Sequence, residues 1–208
     1  MRGRFISLEG GEGVGKSTQA RALAAALEAR GLPVLLTREP GGSAGAEAIR
    51  GLLLSGDADR WTTRAEALLF AAARTDHLEK TILPALERGI WVICDRFIDS
   101  SRAYQSATGE MRDADIMALH QIGSNGVLPD RTLLLAMAGD EAGRRARERD
   151  GEASDRIGGR ADDFHAKVAQ AFFAFAGSEP DRFRQVDAAG TPEMVTARLL
   201  DALADLLA

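Results

Sequence analysis

The sequence predicts a three-layer α/β fold, in which a central five-stranded parallel sheet is flanked by helices. Apolar runs of strand length recur at residues 4–9, 33–37, 90–95, 131–137 and 182–188. Helical patterns separate these runs, and a glycine-rich loop follows the first of them. Strands that alternate with helices in this way form parallel sheets covered on both faces.

Start and stop signals place the helices between these runs. The first helix is expected to begin at Lys16 and to end near Arg30, before Gly31. Residues 63–66, TRAE, have the form of a capping box and predict a helix start there. Residues 191–192, Thr-Pro, predict a last helix that runs to the C-terminus.

Composition restricts the class of protein. The 208 residues are expected to form one domain, 1–208, because 45% of them are hydrophobic, which is enough for one core. The net charge of −5 has no basic excess, so no nucleic acid partner is expected. No apolar run approaches the roughly 20 residues that cross a bilayer. The first run reaches Glu9 too early for a signal peptide, and the single cysteine, Cys94, suits a reducing compartment. These features predict a cytoplasmic protein.

The loop after the first run indicates phosphate binding. Residues 10–17, GGEGVGKS, match the pattern G-x-x-x-x-G-K-[ST] between a predicted strand and a predicted helix. Successive backbone N–H groups in such a loop form a nest for the phosphates of a nucleoside triphosphate. Lys16 is expected to reach the β- and γ-phosphates, and Ser17 to bind Mg²⁺. A dinucleotide-binding loop fits less well, because the third glycine it requires is missing.

A second magnesium ligand is predicted at Asp95, which ends the third apolar run and is followed by Arg96. A carboxylate at the C-terminal end of a buried strand should lie beside the phosphate loop. A surface ion pair between these two neighbours is the alternative interpretation.

The rest of the chain favours a kinase over a switch. The guanine-reading pattern Asn-Lys-x-Asp is absent from the sequence. A kinase that acts on a second nucleotide needs extra cations, because two anionic groups must approach each other. Arginines stand at predicted strand ends, on an inner helix and in the arginine-rich segment 144–163: Arg38, Arg74, Arg96, Arg156 and Arg160. That segment is interpreted as a short lid over the phosphates. A solvated helix–loop–helix is the alternative.

Four motifs resemble those of bacterial thymidylate kinases, within the P-loop nucleoside monophosphate kinases. They are LEGGEGVGKST (8–18), TREPGG (37–42), LLFAAARTDH (68–77) and DRFIDSSRAYQ (95–105). The resemblance implies the P-loop NTPase fold and ATP-dependent phosphorylation of dTMP to dTDP, with Mg²⁺. It also implies a homodimer and an acceptor-binding region at about 38–105.

The resemblance also implies roles for individual residues. Catalysis would involve Glu12, Lys16, Arg96 and, from the lid, Arg156. ATP would be bound by the whole loop, Gly10, Gly11, Glu12, Gly13, Val14, Gly15, Lys16, Ser17 and Thr18.

The acceptor nucleotide would lie among residues of the other three motifs. Phe70 would stack on the thymine ring, although plain core packing is the alternative for this side chain. Arg74 would reach the carbonyl edge of the ring, and Arg38 and Arg96 would clamp the phosphate. Two sets of smaller contacts complete the prediction: Ser101 near the base, and Tyr104 and Gln105 along the sugar.

The sequence departs from the family pattern at several positions. Ala136 stands where an aspartate is common, and Gly158 stands where a glutamate often follows the lid motif. Residues 106–109 lack the usual glycine-rich continuation. Two alternatives therefore remain: a kinase for another deoxynucleotide or a nucleoside, and a nucleotide-binding module that has lost catalysis.

Overall fold

The computed structural model describes residues 2–57, 59–137, 157–158 and 162–207. Its sheet has five parallel strands in the order β2-β3-β1-β4-β5. The strands are β1 (Phe5–Glu9), β2 (Val34–Arg38), β3 (Trp91–Asp95), β4 (Arg131–Ala136) and β5 (Phe183–Asp187). Each strand lies within one residue of its predicted bounds, and the predicted fold class is confirmed.

Helices connect the strands across both faces of the sheet. Before β3 the chain forms α1 (Lys16–Glu28), α2 (Ala44–Leu54), α3 (Thr63–His77), a π-helical turn (Leu78–Ile82) and α4 (Leu83–Glu87). After β3 the described residues form α5 (Ile98–Ser106), α6 (Asp113–Ser124), α7 (Asp162–Ser178), α8 (Pro192–Asp201) and α9 (Ala204–Leu207). No helix within the described part of the chain is both long and apolar enough to cross a bilayer.

Strand residues alternate between two packed layers, as the period of a strand requires. Ile6 and Leu8 of β1 belong to a cluster with Leu23 of α1, and this cluster also includes residues of α8. Phe5, on the opposite face of the same strand, belongs to a second cluster with Phe97. A third cluster packs α7 against β4 and β5. The sheet is therefore covered on both faces, which explains why its strands are nearly continuous apolar runs.

The structure corrects two helix boundaries. The cap of α3 is Thr62, whose hydroxyl accepts a hydrogen bond from Ala65 N at 3.3 Å, and Thr63 is the first helical residue. The predicted capping box beginning at Thr63 was therefore wrong by one position, because adjacent threonines offer two possible caps. The last helix begins with the predicted Thr191 cap but ends at Asp201, before the short α9.

The strand order brings the candidate site together. β1 lies between β3 and β4, with Leu8 opposite Asp95 and Glu9 opposite Leu134. The carboxyl ends of these strands consequently meet at one edge, beside the loop that leads into α1. Ligands of open α/β sheets bind at this edge.

Candidate active site

The glycine loop has a backbone path that other residues would strain. Gly10, Gly13 and Gly15 have φ values of 141°, 75° and 90°. A Cβ added at Gly10 would lie 2.4 Å from the backbone oxygen of Leu135 in β4. The loop therefore approaches the sheet closely, and Gly15 leads directly into the N-terminus of α1, where anions are favoured.

Lys16 folds back over this loop. Its Nζ donates a 2.6 Å hydrogen bond to the backbone oxygen of Gly11, and only 7% of the residue is exposed. Burial, followed by the charge of Arg96, lowers the pKa of Lys16 to about 8, although nearby carboxylates oppose the shift. The hydrogen bond to Gly11 therefore holds the Lys16 ammonium group beside the loop.

Ser17 and Asp95 lie together, as predicted for a magnesium site. Ser17 Oγ donates a 2.5 Å hydrogen bond to Asp95 Oδ2. Asp95 Oδ1 is buried and has no hydrogen-bond partner among the described residues. A buried carboxylate oxygen that accepts no hydrogen bond is available to bind a metal ion. Kinases hold Mg²⁺ through one or two protein oxygens plus phosphates. The residues present therefore fit Mg²⁺.

Arg96 forms the centre of a charged cluster next to the loop. Its backbone has a φ of 70°, in the left-handed region. Its Nη2 donates to Glu12 at 2.5 Å and to the Tyr104 hydroxyl at 3.2 Å, while Nη1 donates to Ser100 at 3.0 Å. Burial alone would lower the pKa of Arg96, but Tyr104, Glu12 and other acidic groups raise it, so the guanidinium stays charged.

Arg74, Ser101 and Phe70 form one wall of the site. Arg74 is buried on α3 and donates from Nη2 to Ser101 Oγ at 2.8 Å. Phe70 precedes it by one helical turn, is partly buried and packs against a cluster that includes Tyr104. Core packing and ligand stacking are therefore compatible for Phe70, because its exposed part faces a cavity.

Gln105 is held from behind. Its Nε2 donates a 2.9 Å hydrogen bond to the buried carboxylate of Glu66 on α3. Tyr104 donates from its hydroxyl to Glu12 at 3.0 Å. Both residues therefore tie α5 to neighbouring elements while they line the site.

One cavity of about 760 Å³ brings these groups together. It joins the phosphate loop to the wall formed by α3 and α5, and it extends to Gly190 and Pro192 at the start of α8. Its lining includes the predicted residues Glu12, Gly13, Val14, Gly15, Lys16, Ser17, Thr18, Arg38, Phe70, Arg74, Asp95, Arg96, Ser101, Tyr104 and Gln105.

Other predicted positions stand apart from this lining. Gly10 lies against the backbone of Leu135, and the backbone oxygen of Gly11 accepts the hydrogen bond from Lys16. Both glycines therefore shape the loop without lining the cavity. Arg38 lines the cavity, but its guanidinium is paired with Glu47 at 3.1 Å. Arg156, Arg160 and most of the lid segment 144–163 lie outside the described residues.

The structure adds residues that the sequence did not single out. Glu9 is fully buried and accepts hydrogen bonds from Phe97 N at 2.8 Å and Ser100 Oγ at 2.6 Å. Glu39 lies in the cavity wall and accepts from Arg74. Glu9 ends an apolar run and Glu39 lies two residues after one, and these positions near strand ends were the signal in the sequence. Arg50 also lines the cavity, and nothing in the sequence marked it.

Comparison with known proteins agrees with this geometry. The sequence profile of a family described as thymidylate kinase matches residues 8–199. A thymidylate kinase of Rhizorhabdus wittichii is 62% identical over 207 residues, covering 100% of both chains. One from Gluconobacter oxydans is 50% identical, covering 99% of this chain and 96% of its own. The crystal structure of thymidylate kinase from Ehrlichia chaffeensis superposes with a TM-score of 0.78 at 30% identity, covering 98% of this chain and 100% of its own. The chain therefore belongs to the thymidylate kinase family.

Proposed function

We propose that the protein transfers the γ-phosphoryl group of ATP to the phosphate of dTMP, giving ADP and dTDP. The bond from the γ-phosphorus to its bridging oxygen breaks, and a new bond forms to a phosphate oxygen of dTMP. The observation that supports this proposal most directly is the single cavity that joins the phosphate loop to a wall bearing Phe70 and Arg74. Family membership supports the same reaction.

The loop side of the cavity suits the donor. Backbone N–H groups of the loop and the N-terminus of α1 would hold the phosphates of ATP, with Lys16 against them. Phosphoryl transfer asks little covalent chemistry of the protein, so positioning and charge do most of the work. Arg96, held between Glu12 and Tyr104, would face the acceptor phosphate.

Mg²⁺ would be held by Ser17 and Asp95. When bound, it would supply positive charge to the β- and γ-phosphates and orient them. Arg156 of the lid would add a further cation, a role supported only by its match to the family's lid motif.

The opposite wall suits a pyrimidine monophosphate. Phe70 would stack on the base, and Arg74 would donate a hydrogen bond to its carbonyl edge. Ser101 lies against Arg74, while Tyr104 and Gln105 would border the sugar. Arg38 would join Arg96 at the phosphate after release from Glu47, whose pairing with it is exposed and therefore weak.

We also infer a cytoplasmic homodimer. Large apolar side chains are exposed on three helices that pack in succession: Leu52 of α2, Leu68 of α3 and Ile122 of α6. Ile122 is 82% exposed, and exposed apolar side chains that lie together on neighbouring helices are typical of protein–protein interfaces. Sedimentation velocity should give a dimer for the wild type and a smaller species for Ile122→Glu. A monomeric wild type at micromolar concentration would exclude the dimer.

An acceptor screen tests the reaction. Purified protein with ATP and Mg²⁺ is offered dTMP, dUMP, dCMP, dGMP and thymidine, and both nucleotide products are quantified. We expect dTMP to give the highest kcat/KM, with one ADP formed for each dTDP. A preference for thymidine would indicate a nucleoside kinase, and tight binding of ATP and dTMP without ADP would indicate a module that has lost catalysis.

Lys16→Ala should abolish turnover in this assay, because a cation at the transferring group is lost. Lys80→Ala is the matched control, since Lys80 is exposed and pairs with Asp76 on the surface. Near-normal turnover by Lys16→Ala would count against the assigned phosphate site.

A further inference from the structure

Glu39 is a buried carboxylate whose two oxygens are both engaged. It follows β2 directly, and only 6% of the residue is exposed. Its Oε2 accepts a 2.8 Å hydrogen bond from Arg74 Nε, and its Oε1 lies 3.2 Å from His77 Nδ1. Arg74 and His77 lie three positions apart on α3, so the carboxylate spans nearly one turn of that helix.

Contacts of the Arg74 guanidinium leave one nitrogen available. Nε donates to Glu39, and Nη2 donates to Ser101 Oγ at 2.8 Å and to the backbone oxygen of Phe97 at 3.4 Å. Nη1 makes no hydrogen bond with the described residues, and Arg74 lines the cavity. Because the guanidinium is planar, fixing Nε and Nη2 also fixes the direction in which Nη1 points.

We propose that Glu39 is a positioning residue for acceptor recognition: it fixes the Arg74 guanidinium so that Nη1 faces the base, and it cancels the Arg74 charge there. This inference rests on the proposed function, since it concerns the base of the acceptor nucleotide. An N–H group in a fixed direction donates a hydrogen bond to the carbonyl oxygen of thymine and disfavours the exocyclic amino group of cytosine, which is itself a donor.

Charge cancellation gives the cavity two different ends. Lys16 and Arg96 face the phosphate loop, where anions are to be bound. Arg74 and Glu39 form a closely paired, buried and net neutral unit at the other end, with side chains 3% and 4% exposed. A phosphate consequently gains little electrostatic stabilisation at the base end of the cavity. A monophosphate therefore binds with its phosphate at the loop end. Without Glu39, Arg74 would be an uncompensated buried cation that attracts phosphate.

His77 supports Glu39 from the side away from Arg74. Its Nε2 lies 2.7 Å from Thr37 Oγ1 on β2, and the imidazole is fully buried. A carboxylate oxygen accepts hydrogen bonds, so the contact with Glu39 is a hydrogen bond when His77 Nδ1 carries the imidazole proton. Strand β2 is thereby connected through His77 and Glu39 to Arg74.

The substitution Glu39→Gln tests the proposal. It keeps the size of the side chain and removes the charge that holds Nε. We expect the KM for dTMP to rise about tenfold or more, the size expected for loss of a hydrogen bond to a charged group. The ratio of kcat/KM for dTMP to that for dCMP should fall by a similar factor, while the KM for ATP stays unchanged. A purely structural role would instead alter both KM values and kcat together. Glu79→Gln is the matched control, because Glu79 is exposed.

NMR of the wild-type protein supplies a second measurement, which does not depend on whether Glu39→Gln folds. The Arg74 Nε–Hε signal, assigned by its loss in Arg74→Lys, should exchange with water much more slowly than that of exposed Arg88. Equally fast exchange would overturn the proposal. Normal dTMP kinetics and normal selectivity in a folded Glu39→Gln would overturn it as well. In that case the proposed function would still stand, provided that the wild-type protein forms dTDP from dTMP. A wild type that prefers another acceptor would refute the proposed function, and the exchange result would still decide the contact between Glu39 and Arg74.

Discussion

Ser17 Oγ and Asp95 Oδ2 lie 2.5 Å apart, although 78 positions separate the two residues. Ser17 belongs to the first turn of α1, and Asp95 is the last residue of β3. The contact exists because β3 pairs with β1 and places its carboxyl end beside the loop. Within the described part of the chain, no group donates a hydrogen bond to the second, buried oxygen of Asp95. A metal ion would satisfy both the hydroxyl and this oxygen.

Asp95→Asn should therefore raise the Mg²⁺ concentration needed for half-maximal activity, by about tenfold or more. An amide has one neutral oxygen where the carboxylate has two charged ones, so it is a weaker ligand for Mg²⁺. Initial rates at saturating nucleotide, measured against free Mg²⁺, give this value. Asp181→Asn, at an exposed position, is the control. An unchanged Mg²⁺ requirement would remove Asp95 from the metal site.

Lys16 should take up a proton when ATP binds near pH 8. Burial lowers the pKa of Lys16 to about 8 in the protein without ligand, so at that pH about half of the molecules have a neutral lysine. Phosphate oxygens favour the charged form and should raise the pKa. ATP affinity is therefore expected to be highest below pH 7 and to decrease as the pH rises through 8.

Calorimetry of ATP binding at pH 8 in buffers of different ionisation enthalpy measures this proton uptake. Lys16→Met should lose the part of the proton uptake that is due to Lys16. Glu9 has a pKa that burial raises to about 8 as well, so Glu9→Gln separates its share. If uptake in Lys16→Met equals that of the wild type, the lysine is already charged in the free protein.

Much of this site could be predicted from the sequence because its residues fall in short local motifs. The loop residues, Ser17 and Asp95 follow from motifs at strand ends, and the parallel sheet brings those ends together. The pairing of Glu39 with Arg74 could not be predicted. It depends on how α3 packs over the end of β2, which no local pattern specifies. The same holds for Arg50, which reaches the Pro40 carbonyl at 2.7 Å from α2.

Glu9→Gln should reduce the loss of stability that the wild-type protein shows as the pH rises from 5 to 8. Burial, followed by the nearby Asp99 charge, raises the pKa of Glu9 from 4.5 to about 8. In that interval the unfolded chain releases a proton that the folded chain retains, so the free energy of unfolding falls as the pH increases. Glutamine keeps an acceptor for Phe97 N and cannot ionise. Urea titrations should show a smaller decrease between pH 5 and 8 for Glu9→Gln. An identical decrease in both proteins would mean that Glu9 is ionised when folded.

Asp99 should contribute much more to stability than Asp113, although both pair with Arg102. Asp99 is fully buried and accepts from Arg182 at 2.6 and 2.9 Å and from Arg102 at 3.0 Å. Asp113 accepts from Arg102 at 2.8 Å, but its side chain is 41% exposed. Asp99→Asn should therefore lower the free energy of unfolding by about 3 kcal/mol or more, because the two arginines lose their one fully buried carboxylate and keep only partly exposed partners, Asp113 and Glu179. Asp113→Asn should lower it by about 1 kcal/mol or less.

The pH dependence of the Asp99 effect gives an independent check. Burial alone would raise the pKa of Asp99, but hydrogen bonds and charge from Arg182 and Arg102 hold it below the ordinary value of 3.8. Its contribution is consequently complete above pH 3.8 and is lost as the pH falls through the folded pKa. Urea unfolding of the wild type and Asp99→Asn should differ most near neutral pH, and the difference should narrow in acid. A difference that stays constant into acid would show that the substitution acts through packing and not through the loss of charge.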